Sequence, residues 1–108
     1  MDIKTFEKMK VFSAEKMKKT NLFGTERMFC DLYCFEPDQF QKVHSHKGED
    51  KIYAVLEGEG TFQVGEDTET VGAGSAILAP AGLPHGVTNR SGARLVVLVF
   101  MAPKPSHG

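Results

Sequence analysis

Tryptophan is absent from the 108-residue chain, and cysteine occurs only twice. No apolar run approaches the ~20 residues that a membrane-spanning helix needs, so no membrane partner is expected. The opening Met1-Asp2-Ile3-Lys4 lacks the apolar core of a secretory signal, which makes the cytoplasm the expected location. An excess of one charge is missing too: 13 basic residues stand against 14 acidic ones, a net charge of −1. A nucleic-acid partner needs a basic face, which this balance does not offer. The length is that of one domain, and a multidomain enzyme is not expected. The apolar share of 41% is that of a globular chain rather than a disordered one. Cys30 and Cys34 sit four positions apart. On a strand at ~3.3 Å per residue their Cα atoms are roughly 13 Å apart, beyond the ~7 Å limit of a disulfide. They read as free thiols on one strand face, which fits a reducing compartment.

What is present is turn chemistry at short intervals. Eight of the eleven glycines fall between residues 58 and 92. Between the turns lie short runs rich in β-branched and aromatic residues: 27–35, 40–46, 51–56, 60–64, 75–79, 85–88 and 93–101. About eight strands with turns every 8–12 residues predict an all-β antiparallel sandwich or barrel over residues 25–102. The last strand, Leu95-Val96-Val97-Leu98-Val99-Phe100, is apolar on both faces, so it is buried twice or covers an interface. Residues 1–24 read as an arm with a short turn capped by Ser13 through residues 14–19, then a break at 20–24. Residues 103–108, with His107, read as a flexible tail. The arm carries a charge of +3 over residues 1–19, and residues 47–70 carry −5. These read as solvated faces, with pairing between protomers as the alternative.

Chemistry concentrates in three histidines. His44 and His46 form an H-x-H pair, and alternate strand residues face one side. Two imidazoles at that spacing can converge on one metal ion. His85 follows a short apolar strand and a turn with Pro80, Gly82 and Pro84, which hold its backbone in one orientation. Tyr53 and Val55 share a strand face with Lys51. Tyr53 reads first as a barrel-filling aromatic and second as a hydrogen-bond donor to a substrate. Phe62 and Phe100 read as core, and Gly58-x-Gly60 as a tight turn rather than a nucleotide loop.

The order Gly74, Pro80, Gly82, His85, Asn89 meets every position of the motif G-x5-P-x-G-x2-H-x3-N, and so the chain resembles the small single-domain cupins. The family's first motif, G-x5-H-x-H-x3,4-E-x6-G, is met in part by His44, His46 and Gly58. Asp38 stands at its leading glycine. Lys51 stands where the family usually has a metal-binding glutamate. The resemblance implies a double-stranded β-helix, a jelly-roll barrel with the three histidines in its mouth, and often a homodimer. It implies a divalent transition metal, Fe, Mn, Ni or Zn, held by His44, His46 and His85.

Lys51 leaves three alternatives open. It can point outward and leave an open three-His site, as in some cupin dioxygenases. Glu49 or Asp50 can supply the carboxylate in a shifted register. Or no metal binds and the pocket takes an organic ligand. An ammonium ~4 Å from a divalent ion costs roughly 8 kcal/mol at an effective dielectric of 20. The expected function is a metal-binding cupin acting on a small polar or anionic molecule as a dioxygenase or isomerase, with Tyr53 and Lys51 as candidate catalytic groups. The alternative is a non-catalytic small-molecule binding module without metal, in which Lys51 anchors an anion.

Overall fold

Short alternating strands dominate the computed structural model, which describes residues 1–104. Of the tail expected at 103–108, residues 105–108, His107 among them, lie outside the described residues. In chain order the elements are α1 (Phe6–Met9), β1 (Lys18–Gly24), β2 (Phe29–Phe35), β3 (Phe40–His44), β4 (Asp50–Glu57), β5 (Glu59–Val64), β6 (Asp67–Gly72), β7 (Ala76–Ala79), β8 (His85–Thr88) and β9 (Leu95–Ala102). All pairings are antiparallel and form two sheets, ordered β1-β2-β9-β4-β7 and β3-β8-β5-β6. The all-β barrel that the turn spacing predicts is therefore the fold.

Alternation decides what each strand buries. On β4, Lys51, Tyr53 and Val55 point inward, while Ile52 and Leu56 stay exposed. Inside the barrel Tyr53 and Val55 pack with Tyr33, Phe35, Phe62, Val87, Leu95, Val97 and Val99. A second core lies on the outer face of the larger sheet. There Leu22, Cys30, Leu32, Cys34 and Val96 are buried beneath Met9, Phe12, Phe23, Leu98 and Phe100. Strand β9, central between β2 and β4, serves both cores, which explains its unbroken apolar run. Cys30 and Cys34 are buried free thiols on the outer face of β2.

The N-terminal arm departs from expectation. Ser13 Oγ accepts the Glu15 amide at 3.2 Å, but no helix follows, and among the described residues the one helical turn is at Phe6–Met9. The expected break at 20–24 is the heart of β1, paired with β2 across a bulge near Asn21. Asn21 and Gly24 are turn formers, and Leu22 alone is buried on this strand, so its period was invisible. Strand β6 was missed for a related reason. It is an edge strand without a buried residue, so it shows no alternation.

Two motif residues hold the frame. Asn89 is fully buried. Its amide donates to the carbonyls of Glu36 (3.1 Å) and Ala93 (2.8 Å), and its Oδ1 accepts from Ser91 Oγ at 2.7 Å. It thereby ties the 36–40 turn to the 89–93 turn. Asp38 sits in the left-handed region at φ 70° and donates its amide to Asn89 O at 2.8 Å. A glycine at this point of the motif has a backbone reason, and aspartate is one of the few replacements that tolerate it.

Candidate metal centre

His44 ends β3 and lies opposite His85, the first residue of β8. His46 stands just past β3 rather than within it. Its carbonyl accepts the Gly82 amide at 2.7 Å, which joins the H-x-H segment to the Pro80–Pro84 turn. Gly82 has φ +88°, so the turn requires a residue free to adopt a positive φ. The three rings therefore meet although they come from distant parts of the chain. Ring centroids are 4.8 Å apart for His44 and His46, 4.7 Å for His44 and His85, and 5.5 Å for His46 and His85. Their ligand nitrogens all lie within 4.8 Å of one another. Tetrahedral nitrogens at ~2.1 Å from one ion lie ~3.4 Å apart, so the rings draw together by roughly 1 Å to hold it.

Hydrogen bonds fix which nitrogens face the centre. His44 Nδ1 pairs with Lys42 O at 2.8 Å, and His85 Nδ1 with Leu83 O at 3.1 Å. A carbonyl accepts only N–H, so each ring carries its proton on Nδ1 and keeps a lone pair on Nε2. His85 Nε2 is buried and has no hydrogen-bond partner among the described residues. Such an atom calls for a ligand or an ion. Burial, with smaller contributions from Lys51, holds the pKa values of His44 and His46 below the ordinary 6.5. His85 is pushed down to about 4, chiefly by burial. The rings are thus neutral at pH 7, the form that binds metal. The donor set fits a divalent ion.

Residues 31–101 match the family model described as a cupin domain. The chain belongs to the cupin family. It is similar to the uncharacterized protein SCO3923 of Streptomyces coelicolor, with 34% identity over 64 residues, 59% of this chain. That match spans 58% of the relative's length. The crystal structure of TT1209 from Thermus thermophilus superposes with a TM-score of 0.94 at 47% identity, covering 97% of this chain and 100% of that one. A conserved double-stranded β-helix protein from Klebsiella pneumoniae shares the fold, with a TM-score of 0.89 at 19% identity over 95% of this chain and 90% of its own.

In this cupin, the inward Lys51 removes two of the three alternatives as stated and leaves either a pocket without an ion or an ion beside an uncharged Lys51. It points inward and is 1% exposed, so the outward orientation does not occur. Alternation on β4 forces this, because Lys51 shares its face with Tyr53 and Val55. Nor does a neighbour bring a carboxylate to the histidines. Asp50 is exposed and accepts the Ala81 amide at 2.9 Å, while Glu49 accepts the Gly48 amide at 3.0 Å. Lys51 Nζ donates to Tyr33 Oη at 3.1 Å, and burial, then Lys19, lowers its pKa to about 7, with Asp31 opposing. Its neutral form is accessible near neutrality, which relieves the repulsion that a charged Lys51 exerts on an ion.

Tyr53 is fully buried, and its hydroxyl donates to Gln41 Oε1 at 2.8 Å. Gln41 Nε2 in turn donates to Tyr33 Oη at 3.3 Å. Tyr53 therefore sits behind the cavity wall, packed on Phe62 and edge-on to His85. A cavity of about 520 Å³ opens beside the histidines, lined by Lys19, Phe29, Asp31, Tyr33, Gln41, Lys42, His44, His46, Lys51 and Met101. Tyr33, Gln41 and Lys19 were missed in the sequence. Each lies on a different strand from the motifs, or away from their matched positions, and only the strand order brings them to the mouth.

Proposed function

We propose that this cupin holds one divalent transition metal, Fe, Mn, Ni or Zn, on His44, His46 and His85. It acts there on a small polar or anionic molecule as a dioxygenase or isomerase. The observation that carries the reading is the buried Nε2 of His85, unpartnered among the described residues, aligned by Nδ1–H on Leu83 O and close to two more imidazoles. When bound, such an ion supplies Lewis acidity, and iron would add O₂ chemistry. The chain's own groups supply the rest. Phe29 and Met101 line an apolar side, and Tyr33 and Gln41 form a polar wall beside Lys51. We place the protein in the cytoplasm, where the thiols of Cys30 and Cys34 stay reduced. A homodimer is supported by Ile52 and Leu78, paired and exposed near the β7 edge.

Metal analysis of protein purified without chelating resin tests the reading. The expected result is near-stoichiometric transition metal, lost in His46→Ala and bound more tightly in Lys51→Glu, which restores a carboxylate to the site. Metal-free protein that takes up no ion on reloading overturns it. The inward burial of Lys51 favours a second reading, a non-catalytic small-molecule binding module without an ion.

A further inference from the structure

We propose that the cavity beside the histidines binds a small organic carboxylate, anchored by Lys51. The proposal rests on reading the mouth as a ligand site, and it does not require an ion there. Lys51 is 1% exposed, and among the described residues no carboxylate lies within ion-pair distance of it. Its polar partner is the Tyr33 hydroxyl, and Nζ lies 5.1 Å and 5.0 Å from the ring centres of Tyr33 and Tyr53. A buried ammonium with no counter-ion is costly, and removing that cost takes either loss of the proton or arrival of an anion. The depressed pKa of Lys51 expresses the first route in the ligand-free chain. A bound carboxylate provides the second.

The surroundings select an anion. Lys19 from β1, and Lys42 and His44 from β3, face the same cavity, with His46 beyond them. Asp31 from β2 is the acid on this lining, and its Oδ1 is engaged by Asn21 Nδ2 at 2.9 Å. An adjoining groove of about 580 Å³ shares Lys19 and Lys42 with the cavity and adds Lys16 and Lys18, with no acid in its lining. Positive charge along that approach raises the local concentration of anions. Phe29 and Met101 give the cavity an apolar side, and its volume of about 520 Å³ suits a small organic molecule. A bare inorganic anion would leave that apolar side unused.

The test is calorimetric titration of acetate, malonate and benzoate, with inorganic phosphate as the control, into the chelator-treated full chain. Below pH 7, at least one carboxylate should bind more tightly than phosphate. Lys51→Met should weaken it roughly 10-fold or more, the scale of a lost charge-assisted hydrogen bond. Lys51→Arg should retain most of the affinity. Should Lys51→Met fail to fold, Lys51→Gln takes its place. Equal binding by the Met or Gln variant, no binding by any carboxylate at millimolar concentration, or phosphate binding as tightly as the carboxylates overturns the proposal. Binding seen only after metal loading also overturns it and leaves the three-His reading standing. Carboxylate binding through Lys51 in protein that cannot be loaded supports it and removes the metal reading instead.

Discussion

Asp38 shows how much backbone geometry one motif position encodes. Its φ of 70° lies in the left-handed region, and it is the non-glycine residue with positive φ among the described residues. An L-residue with a Cβ pays for that conformation, though aspartate less than most. Asp38→Gly should therefore stabilise the fold by ~0.5–1 kcal/mol, because the Asp38 N–H to Asn89 O bond involves only backbone. The urea midpoint measures it, and an unchanged or lower midpoint would show that the aspartate side chain is worth more than its strain. The same residue illustrates what could be read in advance. Motif positions such as His44, His46, His85, Gly82 and Asn89 were legible because each motif is local in sequence. Tyr33 and Gln41 were not, because their approach to Lys51 depends on β2 and β4 both flanking β9 and on β3 lying in the facing sheet. That arrangement is long-range information which neither period nor spacing carries.

Strand β9 is the element on which both cores depend. Leu95, Val97 and Val99 fill the barrel, and Val96, Leu98 and Phe100 face the outer layer. Its apolar run pointed to double burial or to an interface, but not to what covered the outer face. The answer, Met9 and Phe12 of the arm with Leu22 and Phe23 of β1, stayed hidden because these residues are scattered among lysines and turn formers. If the outer layer is a true core, truncation there should cost as much as truncation inside. Leu32→Ala and Leu95→Ala, both at fully buried positions, should each destabilise by about 2–5 kcal/mol. Denaturant unfolding of the two variants compares the layers directly. A cost below ~1 kcal/mol for Leu32→Ala would mean that the arm covers the sheet only loosely.

The arm and the barrel act as one folded unit. Lys10 of the arm pairs with Glu57 of β4 at 2.6 Å, Gln39 Nε2 donates to Ser13 O at 2.6 Å, and the Arg94 guanidinium stacks on Phe12 at 4.0 Å. The basic arm and the acidic stretch, whose pairing between protomers was one alternative, thus meet at Lys10 and Glu57 within a single chain. Charge is less well compensated in the mouth, and this sets the pH dependence of stability. His85 has its pKa lowered from 6.5 to about 4, so between those values the unfolded chain binds a proton that the folded chain refuses. The contribution of His85 is therefore complete above pH ~6.5 and is lost as pH falls toward 4, with His44 and His46 shifted in the same direction. Lys51 acts in a separate window. Its pKa falls from 10.5 to about 7, so the unfolded chain again holds the extra proton, and stability rises with pH across that interval. Urea midpoints of the chelator-treated chain should climb from pH 4 to 6.5 and climb again above 7. Lys51→Met should abolish the second rise and keep the first, whereas His85→Gln should reduce the first and leave the part that His44 and His46 contribute. A wild-type curve that is level above pH 7 would place the Lys51 amine in contact with solvent or a counter-ion, and the buried, unpaired lysine would no longer describe the mouth.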